Sequence, residues 1–100
     1  MKTDIQTIGF SANKELIDFV EDRLKHLTKL DSQITGVDVY LKSVKDNHDE
    51  TKIAEIKLFL PGPTLYADHQ SESFRESVME VVEKLKRQIK KRKDILYEKR

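Results

Sequence analysis

An α+β fold of order β-α-β-β-β-α, a four-stranded mixed sheet with two helices on one face, is predicted by three patterns in this chain. Apolar residues recur at helical spacing in two segments, around 16–27 and 74–89. Strict alternation of apolar and polar side chains marks residues 35–44 and 52–60 as strands buried on one face. Each helical segment also opens on a residue that caps helix starts, Asn13 and Ser73.

The first element is a short strand over residues 4–9, carrying Ile5 and Ile8. Asn13 supplies a side-chain oxygen for an orphan N–H, so a helix is predicted from there to about Leu30. Leu16, Val20, Leu24 and Leu27 form its apolar stripe, with Ile17 and Phe19 alongside, and Asp31-Ser32 ends the periodicity. In the next strand Val37, Val39 and Leu41 face one way and Asp38, Tyr40 and Lys42 the other. The polar stretch 45–50 reads as a hairpin loop. A second alternating strand follows, with Ala54, Ile56, Leu58 and Leu60 inward and Glu55 and Lys57 outward. Pro61-Gly62-Pro63 is a turn that neither strand nor helix absorbs. A last strand covers Leu65 to about His69. Ser73 and Glu76 then have the spacing of a capping box, and the final helix carries Phe74, Val78, Val82, Leu85 and Ile89 to about Leu96.

Short loops make the last three strands antiparallel neighbours, whereas the helical crossover from the first strand favours a parallel pair. Both helices then cover one face, and the other is left to water or a partner.

An apolar fraction of 37% supports one core, so residues 1–100 are read as a single domain. The chain contains no cysteine, which removes disulfides, thiolate nucleophiles and cysteine-type zinc sites. No apolar run approaches the roughly 20 residues that span a bilayer, and MKTDIQTIGF lacks the apolar stretch of a secretory signal. A soluble, cytoplasmic protein is expected, with no membrane partner. His26, His48 and His69 lie on three elements without metal-ligand spacing, and the acidic loop at 46–50 lacks the glycine of a calcium loop. There is no nucleophile elbow and no glycine-rich phosphate loop. Neither an enzyme nor a cofactor, metal or small-molecule substrate is expected.

Charge is sorted along the sequence. Residues 84–100 hold nine Lys or Arg against two acids, while residues 1–83 hold ten against sixteen. A tail near +7 thus follows a body near −6, within a total of +1. Nine cations exceed what a helix dipole requires and point to a polyanion met by one surface. At about 100° per residue, with Leu85 toward the core, Lys84, Arg87 and Lys91 fall along one flank and Lys86, Lys90 and Lys93 along the other. Arg92 lies close to the apolar stripe. On the first helix Arg23 and His26 border Leu27, placed to join one ridge if the helices pack side by side. Lys42 and Lys57 would extend the patch only by facing the same way. Tyr97 alone among aromatics sits in the cluster, so backbone and shape recognition of structured RNA suits it better than base stacking on an aromatic platform.

The runs ELIDFVEDRLKHLTKLDSQITGVDVYLK, AEIKLFLPG and VVEKLKRQIKKRKD, in this order, resemble the ribosome hibernation promoting factors, also called ribosome-associated translation inhibitors, over almost the full length. The resemblance implies a double-stranded-RNA-binding-domain-like shape. It also implies binding to the small ribosomal subunit and its rRNA near the decoding centre, with mRNA and tRNA sites blocked during slow growth or stress. Its basic positions fall on Arg23, Lys84, Arg87, Lys91 and Lys93, with Lys42 at the end of a strand; His26 stands where a lysine is common. Lys86, Lys90 and Arg92 lie within the same basic run. The end at Arg100 implies a short form without a dimerisation domain, so that ribosome pairing would require a separate dimerising factor or not occur at all. Glu76, Glu80 and Glu83 depart from the family's basic pattern. Two other readings stand beside it: a free double-stranded RNA-binding module, and a protein-interaction adaptor that docks through its open sheet face or last helix.

Overall fold

The computed structural model describes residues 2–46 and 48–98, with side chains as far as Ile95. Asn47 of the predicted loop, the Tyr97 side chain, and Lys99 and Arg100 of the basic tail lie outside the described residues. Six elements run in the predicted order: β1 (Lys2–Ile8), α1 (Lys14–Thr28), β2 (Gly36–Asp46), β3 (Asp49–Phe59), β4 (Leu65–Ser71) and α2 (Phe74–Glu98). The sheet order is β1-β2-β3-β4, with β1 parallel to β2 and the other pairs antiparallel.

Register converts the period-2 pattern into rows across the sheet. Ile5, Val39, Ile56 and Ala67 align in one inward row, Val37, Leu58 and Leu65 in a second, and Leu41, Ala54 and His69 in a third. The outward rows are Asp38-Lys57-Tyr66, Tyr40-Glu55-Asp68 and Lys42-Ile53-Gln70. Both helices lie on the inward face, where α1 buries Val20, Leu24 and Leu27 and α2 buries Val78, Val81, Val82, Leu85 and Ile89. α2 packs over β3 and β4 and against α1.

The helix starts are fixed as their sequences require. Asn13 Oδ1 accepts from the Leu16 N–H at 2.9 Å, and Ser73 Oγ from the Glu76 N–H at 3.1 Å. The reciprocal half of the predicted capping box is replaced, since the Ser73 N–H donates to Ser71 Oγ at 3.4 Å. Between β1 and α1 the chain turns at Gly9, where φ is +82° and a Cβ would sit 2.5 Å from the Ser43 carbonyl oxygen. Only glycine fits there.

One strand boundary differs from expectation. Most of the stretch read as a loop at 45–50 is strand, because β2 and β3 stay paired as far as Asp46 and Asp49. Polar cross-strand contacts hold this end: Lys45 faces Glu50, Ser43 Oγ donates to Glu50 at 2.8 Å, and Lys52 pairs with Glu50. Ser77 belongs to the core despite its hydroxyl, which donates to the Lys52 carbonyl at 2.7 Å and lies 2.7 Å from Ser71 Oγ.

Candidate nucleic-acid interface

The cations predicted as two continuous ridges on α2 divide by what they touch. Lys84 bends over the sheet edge and donates to the Asp68 carbonyl at 2.7 Å. One turn later Gln88 Nε2 donates to the Tyr66 carbonyl at 2.8 Å. On the opposite flank Lys93 donates to the Leu30 carbonyl, just past α1. These contacts brace the helix on both sides by satisfying backbone oxygens at a sheet edge and a helix end. Lys86 pairs along the helix with Glu83 at 3.2 Å.

Arg92 has turned inward. Its guanidinium meets the buried Asp31 carboxylate at 2.8 Å and donates to Gln33 Oε1 at 2.8 Å and to the Pro61 carbonyl at 3.3 Å. Asp31 also accepts from the Gln33 N–H at 2.9 Å. The side chains are 15% and 5% exposed, so Arg92 ties the end of α2 to the loops before β2 and after β3. Predicted as a surface cation, it serves inside the fold.

What remains toward solvent is a crest of Arg87, Lys90 and Lys91, all exposed and without an ion-pair or hydrogen-bond partner among the described residues. Across the helix pair, Arg23 points between α1 and α2. Its guanidinium bonds Asp22 at 2.7 Å and lies 5.9 Å from the Phe19 ring centre, while its buried Nε has no partner among the described residues. The Arg23 hydrogen bond holds the Asp22 carboxyl below its ordinary value. His26 lies 3.8 Å from the same carboxylate.

Sequence reasoning missed Arg75, whose guanidinium stacks 4.7 Å from the centre of the same Phe19 ring. Its place among Glu72 and Glu76 hid it, although helix geometry puts it on the flank of Lys86 and Lys93. Phe19 in the first half of α1 thus meets Arg75 in the first turn of α2, and Leu30 just past α1 meets Lys93 near the end of α2. The two helices therefore run in the same direction.

Lys42 does not join this surface. It projects from the opposite sheet face and pairs with Glu55 at 2.6 Å; Lys57 faces the same way. That face is acidic around Tyr66, whose hydroxyl donates to Asp68 at 2.9 Å and Glu55 at 3.1 Å. Burial first, then those two hydrogen bonds, push the Tyr66 phenol upward. No group of His, Asp and Glu that could hold a metal occurs among the described residues, and no described helix is long and apolar enough to cross a membrane.

Fold and surface together define a small α+β domain that carries a cationic helical crest on one side and an acidic sheet face on the other. Residues 3–96 match the family described as Sigma 54 modulation protein / S30EA ribosomal protein. The chain belongs to that family, which bears out the resemblance to ribosome hibernation promoting factors. Its fold is similar to that of a ribosomal subunit interface protein from Coxiella burnetii, with a TM-score of 0.82, 22% identity, and coverage of 94% of this chain and 99% of that one. It is also similar to the N-terminal domain of Thermus thermophilus Protein Y, with a TM-score of 0.77, 20% identity, and coverage of 91% and 98%. No curated protein matches the chain in sequence.

Proposed function

We propose that this protein is a ribosome-associated translation inhibitor that lays its helix pair against small-subunit rRNA near the decoding centre. Arg87, Lys90 and Lys91 are the main phosphate contacts, and Arg23, Arg75 and Lys86 line the adjoining groove. The observation that carries this reading is the crest: three neighbouring exposed cations without a partner among the described residues, on a body of opposite net charge and in a member of a family described as ribosomal. An ammonium or guanidinium already neutralised by a carboxylate releases few phosphate counterions, so free cations dominate the affinity. Lys84, Lys93 and Arg92 then act as braces that hold the crest rigid, and Lys42 lies outside the contact surface.

Inhibition is steric. The bound domain fills space that mRNA and tRNA need, with no bond made or broken, and the protein works in the cytoplasm during slow growth or stress. A free duplex-RNA module is disfavoured by the exposed acids Glu76 and Glu80 in the first turns of α2, where such modules place lysines. Co-sedimentation with small subunits tests the reading. The double variant Arg87→Glu/Lys90→Glu should be folded yet stay at the top of the gradient, and pelleting with wild-type efficiency would overturn the proposal.

A further inference from the structure

A cleft of about 540 Å³ opens where the Pro61–Pro63 turn faces the last turns of α2. Its volume falls within the roughly 300–1,000 Å³ typical of sites that hold small ligands. Pro61, Pro63, Leu65 and Ile95 supply apolar walls, with Gln88 and Lys91 among them. Ile95 is 44% exposed, an unusual position for an apolar side chain beside so many cations.

Three features say what would fill it. Among the described residues the lining contains no acid, although the body of the chain is acidic. Lys91 is exposed at the cleft with no carboxylate beside it among the described residues, so a negative charge is favoured there. Gln88 is oriented by the hydrogen bond from its Nε2 to the Tyr66 carbonyl, while its Oε1 accepts no hydrogen bond among the described residues. Apolar walls, a fixed acceptor and a cation match a flat base with an exocyclic amine, followed by its phosphate. Prolines on one wall, with φ fixed by their rings, keep the cleft formed before binding.

We infer that this cleft is a nucleotide subsite: it takes one unstacked rRNA base against Leu65, Pro63 and Ile95, with the amine on Gln88 Oε1 and the phosphate on Lys91. The inference deepens the rRNA-binding reading and rests on it. The subsite adds contact with a base to a surface that otherwise meets backbone, and it selects a place on the rRNA where a base is already splayed out.

The test compares wild type with Ile95→Ala and Ile95→Phe on purified small subunits. Affinity is measured at several salt concentrations, and base reactivity to dimethyl sulfate at saturating protein. Ile95→Ala should weaken binding roughly five- to tenfold, less than loss of a full aromatic platform, with the salt slope unchanged because no phosphate contact is lost. A base protected by wild type should become reactive again, and Ile95→Phe should restore both affinity and protection. Wild-type affinity of Ile95→Ala would overturn the inference. So would weakened binding with every base reactivity unchanged, which would assign the cleft to a protein side chain. If Ile95→Ala behaves as wild type while Arg87→Glu/Lys90→Glu fails to bind, the cleft alone is refuted; if the charge-reversed pair still binds, the parent reading falls.

Discussion

Replacing Arg92 by Met removes the cation that neutralises Asp31 while keeping most of the side-chain volume. Asp31 is 5% exposed and, among the described residues, retains only the Gln33 N–H as a hydrogen-bond donor. The Pro61 carbonyl and Gln33 Oε1 lose a partner at the same time. Stranding one member of a buried ion pair costs about 3–5 kcal/mol. Arg92 keeps some solvent contact, so the lower end applies, about 3 kcal/mol. For a domain of this size that corresponds to a fall in melting temperature of roughly 12–24 °C. Urea denaturation of Arg92→Met, Asp31→Leu and the double variant reads the coupling directly. The double variant should recover most of the loss, because the penalty comes from the stranded charge rather than from the absent attraction. The folded single variant should still bind ribosomes close to wild type. An unchanged urea midpoint together with lost ribosome binding would refute the reasoning and return Arg92 to the contact surface.

Two further outcomes follow from the geometry. Ser77→Ala should cost about 1–3 kcal/mol in urea denaturation, because the buried Lys52 carbonyl loses its hydroxyl donor; a stability equal to wild type would show that Ser77 is merely enclosed. Hydrogen bonds from Arg23 to Asp22, and from Lys52 and Ser43 to Glu50, hold both carboxyls below their ordinary values of 3.8 and 4.5. The unfolded chain therefore takes up protons first, so this stabilisation is present above those ordinary values and is lost as pH falls through the folded ones. Urea midpoints should drop below about pH 4, less steeply in Asp22→Asn/Glu50→Gln, and identical acid limbs in the two proteins would contradict the assignment.

Period carried most of the fold. Alternation put Val39, Ile56 and their neighbours on one face, and the capping residues Asn13 and Ser73 located both helix starts, because these signals are local. The site was less legible because its decisive contacts are not. Arg92 falls on the apolar stripe of α2 just past its last buried residue, and its partner Asp31 lies 61 residues upstream in a loop. Lys84 and Lys93 end on backbone carbonyls, which leave no mark in a side-chain sequence. Helix geometry assigned their flanks correctly but not what those flanks would meet. Arg75 escaped notice because local charge was acidic, while its neighbour in space is an aromatic ring on another element. At the hairpin, polarity imitated a loop where opposite charges were pairing across strands.

The dependence of small-subunit affinity on salt tests the crest most directly. Wild type should lose affinity linearly in log salt, and Arg87→Gln/Lys90→Gln/Lys91→Gln should flatten that slope by roughly 2 to 3, at about 0.7–0.9 per phosphate contact. Slopes that coincide for the two proteins would mean these three side chains face solvent in the complex and that another surface meets the ribosome.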